Sequence, residues 1–314
     1  MVDSKHQYKA WIYLAPALIL LLIFTVWPIF NTLRMAFSNG YNSMTAVREG
    51  EFSFSIGVDN FVKVVQYKGF TNALLITLLL TVITVPVSTL LALLIAVCLN
   101  SIKPLNRLLQ TIYFLPYVTN SIAIGMVFAA MFNVIGRFDQ PNMVKTYGIV
   151  NQLLNVFGIS PVNWINTGSN IVANMSVMVI YIIWNALPFK ILILLGGLQS
   201  VNKQYYEAAK IDGTSRARTF WRITVPLLSP MIAYVVITGF IGGFKEYTSI
   251  VGIFGETMGP PDKPKALMTM VGYIYDQLPG GKYGLASAAA LILFVIILII
   301  TIINLQVSKK RTHY

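Results

Sequence analysis

The sequence predicts an all-α, polytopic membrane protein with six transmembrane helices and a helix-turn-helix loop between the fourth and the fifth. Three observations predict it. Of 314 residues, 56% are hydrophobic and 11% charged, with a mean hydropathy of +0.69. The apolar residues gather into runs of the ~20 residues that a helix needs to cross a bilayer. The polar stretches between the runs are distinct, and one is itself patterned as two short helices. Spans fall at about 11–32, 71–99, 109–134, 170–197, 226–247 and 284–307, with the patterned loop at about 199–225, all in a single transmembrane domain.

The polar, basic start, MVDSKHQYKA, is followed at once by the first span, from Trp11 to about Thr32. It lacks the short apolar core and small-residue cleavage site of a signal peptide, so it reads as an uncleaved span. Pro16 lies in its first turns and Pro28 near its end, where proline is tolerated in lipid. Residues 33–69 mix Ser, Asn, Gly, aromatics and both charge signs, which suits an extramembrane loop with structure of its own. Thr71 to Leu99 is nearly unbroken apolar sequence with Pro86 at its middle, and a tight basic turn follows with Lys103 and Arg107. The third span contains YFLPYVTNSIAIG, in which Pro116 and Asn120 interrupt apolar sequence. Two readings stand for Asn120, a hydrogen bond to a neighbouring helix or the lining of a polar path.

Residues 135–168 are polar, Asn-rich and carry Trp164, a second loop with room for an interfacial helix. The fourth span includes Asn174, Trp184, Asn185, Pro188 and Lys190. Lys190, placed close to the end of its span, is expected to snorkel toward the surface. The fifth span leads into FKEYTS, a turn-rich loop follows with MGPPDKP and LPGGKYG, and the chain ends SKKRTHY after the sixth.

Six spans place both termini and the patterned loop on one side. The short segments there carry twelve Lys and Arg, from Lys5 to Arg311, against nine spread over the long loops opposite. Positive charge concentrates on the cytoplasmic side, so the termini and the patterned loop are expected there. The same rule accounts for the net charge of +12, which in a soluble chain would suggest nucleic acid. Asp3, Glu207 and Asp212 are the acids on that side, against seven on the other. A lone Cys98 excludes a disulfide framework or a cysteine metal site. His6 and His313 lie in the tails and no span carries paired acids, which argues against an enzyme. Gly280-Gly281-Lys282-Tyr283 lacks both the earlier glycine and the Ser or Thr of a phosphate-binding loop, so the chain is not expected to hydrolyse ATP.

In the patterned loop, Lys203 to Ile211 suits a short helix, with Glu207, Ala208, Ala209 and Lys210 all good formers. Asp212 and Gly213 stop it, glycine being the usual residue for a left-handed helix end. Thr214 or Ser215 caps a second helix, on which Ala217, Phe220, Trp221 and Thr224 share one face and Arg218 and Arg222 another. Pro226 suits the first turn of the next span.

Glu207, Ala208, Ala209, Asp212, Gly213, Phe220, Ile223 and Pro226 reproduce, in spacing, the EAA signature, so the chain resembles the membrane subunits of binding-protein-dependent ABC importers. Val225 replaces the usual leucine. LAPALILLLIFTVWPIF, YFLPYVTN, LGGLQSVNKQYYEAAKIDG, FKEYTS and YGLASAAALILFVI extend the likeness over nearly the whole chain, to the permeases for oligosaccharides and glycerol phosphate and the maltose-type subunit. Asp59-Asn60-Phe61 resembles the element preceding the second span in such permeases and reads equally as an ordinary helix cap.

The resemblance implies a bacterial cell-membrane importer subunit that forms a sugar path by alternating access. It implies a second, similar permease, two ATPase subunits that hold ATP and magnesium, and an extracellular solute-binding protein, with no cofactor in this chain. Glu207, Ala208, Ala209, Asp212, Gly213 and Phe220 would couple to the ATPase. Trp184, Asn185 and Phe189, with Lys245, Glu246 and Tyr247, would meet the sugar. Lys245 and Glu246 stand where other members carry amides, so substrate identity does not transfer. Either they snorkel as a pair at the outer end of their span or one of them faces the path, since adjacent helical positions point ~100° apart. Met258-Gly259-Pro260-Pro261 only partly matches the glycine pair before proline found in many members. The alternatives are an importer of a non-sugar solute such as glycerol phosphate, or a secondary transporter, for which Glu246 would be the one available intramembrane carboxylate.

Overall fold

The computed structural model of the chain describes residues 7–42, 55–101, 111, 112, 115, 117–136 and 145–311. The basic turn with Lys103 and Arg107, Tyr113, Phe114 and Pro116 of the YFLP run, and the tails with His6 and His313 lie outside the described residues.

The described chain is helical apart from two two-residue strands, β1 (Val134–Ile135) and β2 (Thr146–Tyr147), paired antiparallel. This small departure from an all-α chain is held by Asn166, whose side chain accepts from the Val134 amide at 3.1 Å and donates to its carbonyl at 3.0 Å.

Among the described residues, four helices are long and apolar enough to cross a membrane: Trp11–Phe37, Lys68–Ser101, Ile171–Ser200 and Tyr283–Lys309. A fifth candidate is a bent pair, Arg216–Leu227 and Ser229–Phe244, whose parts meet at 69°. The first of the four is built from α1 (Gln7–Leu21), a π turn (Leu22–Val26) and α2 (Trp27–Phe37). Of the third predicted span, the structure describes helical residues at 111, 112, 115, 117 and 118 and the 12-residue α5 (Ser121–Phe132).

The chain divides into two compact units. The first comprises 1–71 and 273–294 and contains α1, α2, α3 (Asp59–Gln66), the start of α4 (Lys68–Ser101) and the first half of α14 (Tyr283–Arg311). Asn60 ties α3 to the end of α2. Its buried amide donates to the Ala36 and Ser38 carbonyls at 3.0 and 2.8 Å, satisfying groups that the end of α2 would leave unpaired. Beside it Phe61 packs on Phe37 with ring centroids 4.9 Å apart.

The second unit comprises 72–272 and 295–314. It contains the rest of α4, α5, α6 (Ile149–Val156), α7 (Ile171–Ser200), α8 (Gln204–Ile211), α9 (Arg216–Thr219), α10 (Val225–Leu227), α11 (Ser229–Phe244) and α12 (Thr248–Phe254). The start of α13 (Met270–Gln277) and the end of α14 also belong to it. Within 135–168 the chain forms the short helix α6, and its Asn151 binds both the amide and the carbonyl of Val162 at 3.0 and 2.9 Å. Helices α5 and α12 approach backbone to backbone: a Cβ on Gly125 would lie 2.7 Å from Gly252 Cα. Toward the Ser200 end of α7, Ala92, Ala96, Leu194, Leu195, Leu228 and Val235 form a closely packed apolar core that joins α4, α7 and α11.

Candidate functional site

Two places in the second unit collect the residues singled out in the sequence. The first is the segment between α7 and α11. Helix α8 forms as expected and ends at Asp212, with Gly213 in the left-handed region at φ 64°. The turn closes through Gly213 N–H to Lys210 O at 3.1 Å and Thr214 N–H to Ala209 O at 2.9 Å. No atom lies within 4 Å of the position a Cβ on Gly213 would take, so conformation alone requires glycine here. Ser215 then caps α9, accepting from the Arg218 amide at 3.4 Å. Ala209 is buried, whereas Glu207, Ala208, Asp212 and Gly213 are exposed and Phe220 is half-buried.

The second helix of the segment differs from the expected single face. After α9 it winds as a π turn over Phe220–Thr224 before α10. The wider turn shifts the phase of the side chains. Thr224 therefore points inward, its hydroxyl 3.4 Å from that of Tyr206, while Trp221 is exposed. Helix α11 begins at Ser229, a few residues after the expected Pro226, because the chain bends at the buried Leu228. Tyr205, Ile211 and Trp221 together leave apolar surface exposed on a segment outside the long apolar helices.

The second place is a cavity of about 330 Å³ among α4, α7 and α11. Of the predicted substrate residues, Asn185, Phe189 and Glu246 line it. Trp184 does not: one helical position away from Asn185, its ring packs on Phe128 with centroids 5.2 Å apart. Lys245 is exposed and does not line the cavity. The two neighbours part because α11 ends at Phe244, after which the Glu246 carboxylate accepts from the Tyr247 and Ser249 amides at 3.1 and 3.2 Å. Tyr247 itself serves that turn through its backbone. Asn120 is a helix cap, its Oδ1 accepting from Ile122 and Ala123 at 2.9 and 3.3 Å, so the structure gives it a third role beyond the two readings above. The ring of Phe189 stacks on Tyr117 with centroids 5.6 Å apart.

Three contributors were missed in the sequence. Thr84 and Ser88 of α4 line the cavity. They belong to a row with Thr77 and Thr81, all fully or nearly buried, at i, i+4, i+7 and i+11 on one helix face. Each hydroxyl of the row donates to a carbonyl one turn back on its own helix, at 2.7 Å for Thr77, Thr81 and Thr84. That spacing was visible inside a run read only as apolar. Lys190 is the third, and the structure overturns its snorkelling assignment. Helix α7 continues ten residues beyond it, to Ser200, and its side chain is 4% exposed. Its ammonium donates to Ser88 Oγ, Thr89 Oγ1 and Val85 O at 2.7, 2.9 and 3.2 Å. Close packing of α11 on this wall depends on glycine, since a Cβ on Gly243 would lie 2.7 Å from Thr81 Cγ2. No cluster of side chains able to hold a metal ion occurs among the described residues.

Residues 65–313 match the family of binding-protein-dependent transport system inner membrane components. The chain belongs to that family. It is a permease subunit of an ABC transporter and not itself an ATPase. It is 28% identical over 314 residues to the trehalose/maltose transport system permease protein MalF of Thermococcus litoralis, covering 99% of this chain and 98% of that protein. It is 31% identical over 313 residues to the arabinooligosaccharides transport system permease protein AraP of Bacillus subtilis, covering 98% and 91%. Among solved structures, a subunit of a bacterial ABC transporter involved in the import of the acidic polysaccharide alginate shares the fold, with a TM-score of 0.77 at 23% identity over 98% of both chains.

Proposed function

We propose that this permease subunit forms the path for an oligosaccharide that a solute-binding protein delivers from outside the cell, and that the cavity holding Asn185, Phe189 and Glu246 is part of that path. The observation that carries the reading is the position of the cavity. It lies between α7 and α11, the two helices that enter and leave the 201–228 segment, so whatever moves that segment moves two walls of the cavity. An aromatic ring for the apolar face of a sugar and an amide and a carboxylate for its hydroxyls are a suitable lining. The sugar systems of the two sequence relatives support the substrate class.

In this reading Glu207, Ala208, Asp212 and Gly213 face a cleft of a partner ATPase, together with the exposed Tyr205, Ile211 and Trp221. A second permease completes the pore, two ATPase subunits hold ATP and magnesium, and six spans place both termini in the cytoplasm. ATP-driven closure of the ATPases shifts α8 and α9 and alternates the access of the cavity.

The test is reconstitution of the complete transporter in vesicles, with uptake measured for labelled maltotriose, arabinotriose and a hexuronate trisaccharide. Glu207→Ala is expected to reduce both ATPase co-purification and uptake, and Asn185→Ala to raise the uptake KM with assembly intact. Retention of co-purification and uptake by Glu207→Ala would sink the coupling assignment. Uptake of none of the three sugars by the wild-type complex would sink the substrate class.

A further inference from the structure

Lys190 lies ten residues before the end of α7, which is ~15 Å along the helix axis and about half the thickness of a bilayer's apolar core. At that depth an ammonium is costly, and its three N–H donors are all spent on neutral acceptors of α4: Ser88 Oγ, Thr89 Oγ1 and Val85 O. Among the described residues no carboxylate stands within ion-pair distance of it. Glu246, the carboxylate that lines the cavity, is committed to the turn before α12. From the third side α11 presses on the same group, since a Cβ on Gly239 would lie 3.3 Å from Lys190 Nζ. One turn further toward Ser200 the three helices close into the apolar core of Ala92, Leu194, Leu195 and Val235.

Packing does not need this charge. An apolar side chain of similar length would fill the place without the desolvation cost, and such replacements of buried charges are often stabilising. The ammonium becomes useful if the seam must open. In the closed seam it is dehydrated and held by three hydrogen bonds; in an open seam water hydrates it, which offsets the loss of those bonds. Helices α7 and α11 run directly into the 201–228 segment and α4 does not, so in the transport reading this seam separates the pair that the segment would move from a third helix.

We propose that Lys190 is a positioning residue that latches α7 to α4 at the Ser200 end of the cavity, and that its charge is what lets this seam reopen to water in each cycle. The proposal rests on the transport reading above.

The experiment uses the complete transporter in vesicles, with ATP as the only added ligand, and reads thermal stability and basal ATP turnover. Lys190→Met, which keeps length and removes charge, is expected to raise Tm and to lower turnover about tenfold, equivalent to ~1.4 kcal/mol on the opening barrier. The double variant Ser88→Ala/Thr89→Val strips the latch from the ammonium and is expected to act oppositely, lowering Tm and raising basal turnover. A purely structural tie would lower Tm in both variants without raising turnover in the double variant. A residue that only touches solute would move neither quantity in Lys190→Met. Either pattern overturns the latch, as does failure of Lys190→Met to assemble. If Glu207→Ala also leaves basal turnover unchanged, the failure lies in the coupling reading instead, and the opposite Tm shifts of the two variants still decide the latch.

Discussion

The 201–228 segment and the wall of the cavity both carry charge and glycine, but they use them in opposite ways. Outside the long helices, the side chains of Glu207, Asp212, Arg218 and Arg222 are exposed, and Gly213 is required by a left-handed turn with open space around it. Inside, the ammonium of Lys190 is fully hydrogen-bonded, and Gly239 and Gly243 are required by close helix approach. Water tolerates any polar group, so a surface segment can reserve its charges for a partner. Lipid tolerates none unpaired, so a charge in the membrane must be accounted for by the fold itself.

The largest effect separating the two regions is expected from Gly243→Leu. Its side chain would have to displace Thr81, and overpacking of this kind costs about 1–3 kcal/mol. The transporter is therefore expected to lose thermal stability and uptake together, as read by size-exclusion chromatography and Tm. Gly213→Ala is the counterpart. It meets no neighbour and carries only the left-handed strain of about 1–2 kcal/mol, so assembly of the membrane part should persist while ATP-dependent uptake falls. If Gly213→Ala disrupted the membrane part and Gly243→Leu did not, the contrast between turn and packing glycines would be reversed.

Glu246→Gln comes next. Its amide oxygen can still accept from Tyr247 and Ser249, so Tm should hardly move, and a change confined to the uptake KM would place the carboxylate on the solute. Unchanged kinetics would leave it only the turn. The smallest effect is expected from Asn120→Ala, which removes a helix cap worth about 1 kcal/mol. A modest fall in Tm with unchanged KM would fit; a raised KM would restore it to the path.

The surface segment was legible because its chemistry is local. A helix, its glycine stop and its cap follow from neighbouring residues, and the spacing from Glu207 to Pro226 carried the first resemblance to the family. What failed there was phase: the π turn at Phe220–Thr224 has no sequence signal, and it turned Thr224 inward and Trp221 outward. The cavity was legible only in part. Asn185, Phe189 and Glu246 were found, but Trp184 and Lys245 faced elsewhere, since a helix position and the residue at which α11 ends decide which neighbour points inward. Lys190 was misplaced because its acceptors lie more than a hundred residues away on α4, where hydroxyls spaced at helical intervals are concealed in an apolar run.

The bend of 69° at Leu228 has a mechanical meaning. A straight helix would pass a push from its docked end along its own axis and slide against its neighbours. Across so sharp an elbow most of the same push arrives sideways, so α11 would swing about Leu228 rather than slide. Leu228 is 1% exposed and belongs to the apolar core, so a pivot at this place would sit in packed apolar surroundings. On the transport reading proposed above, the joint would work as a bell crank: a small stroke at α8 and α9 would become a larger sweep at Glu246, beyond the far end of the longer arm.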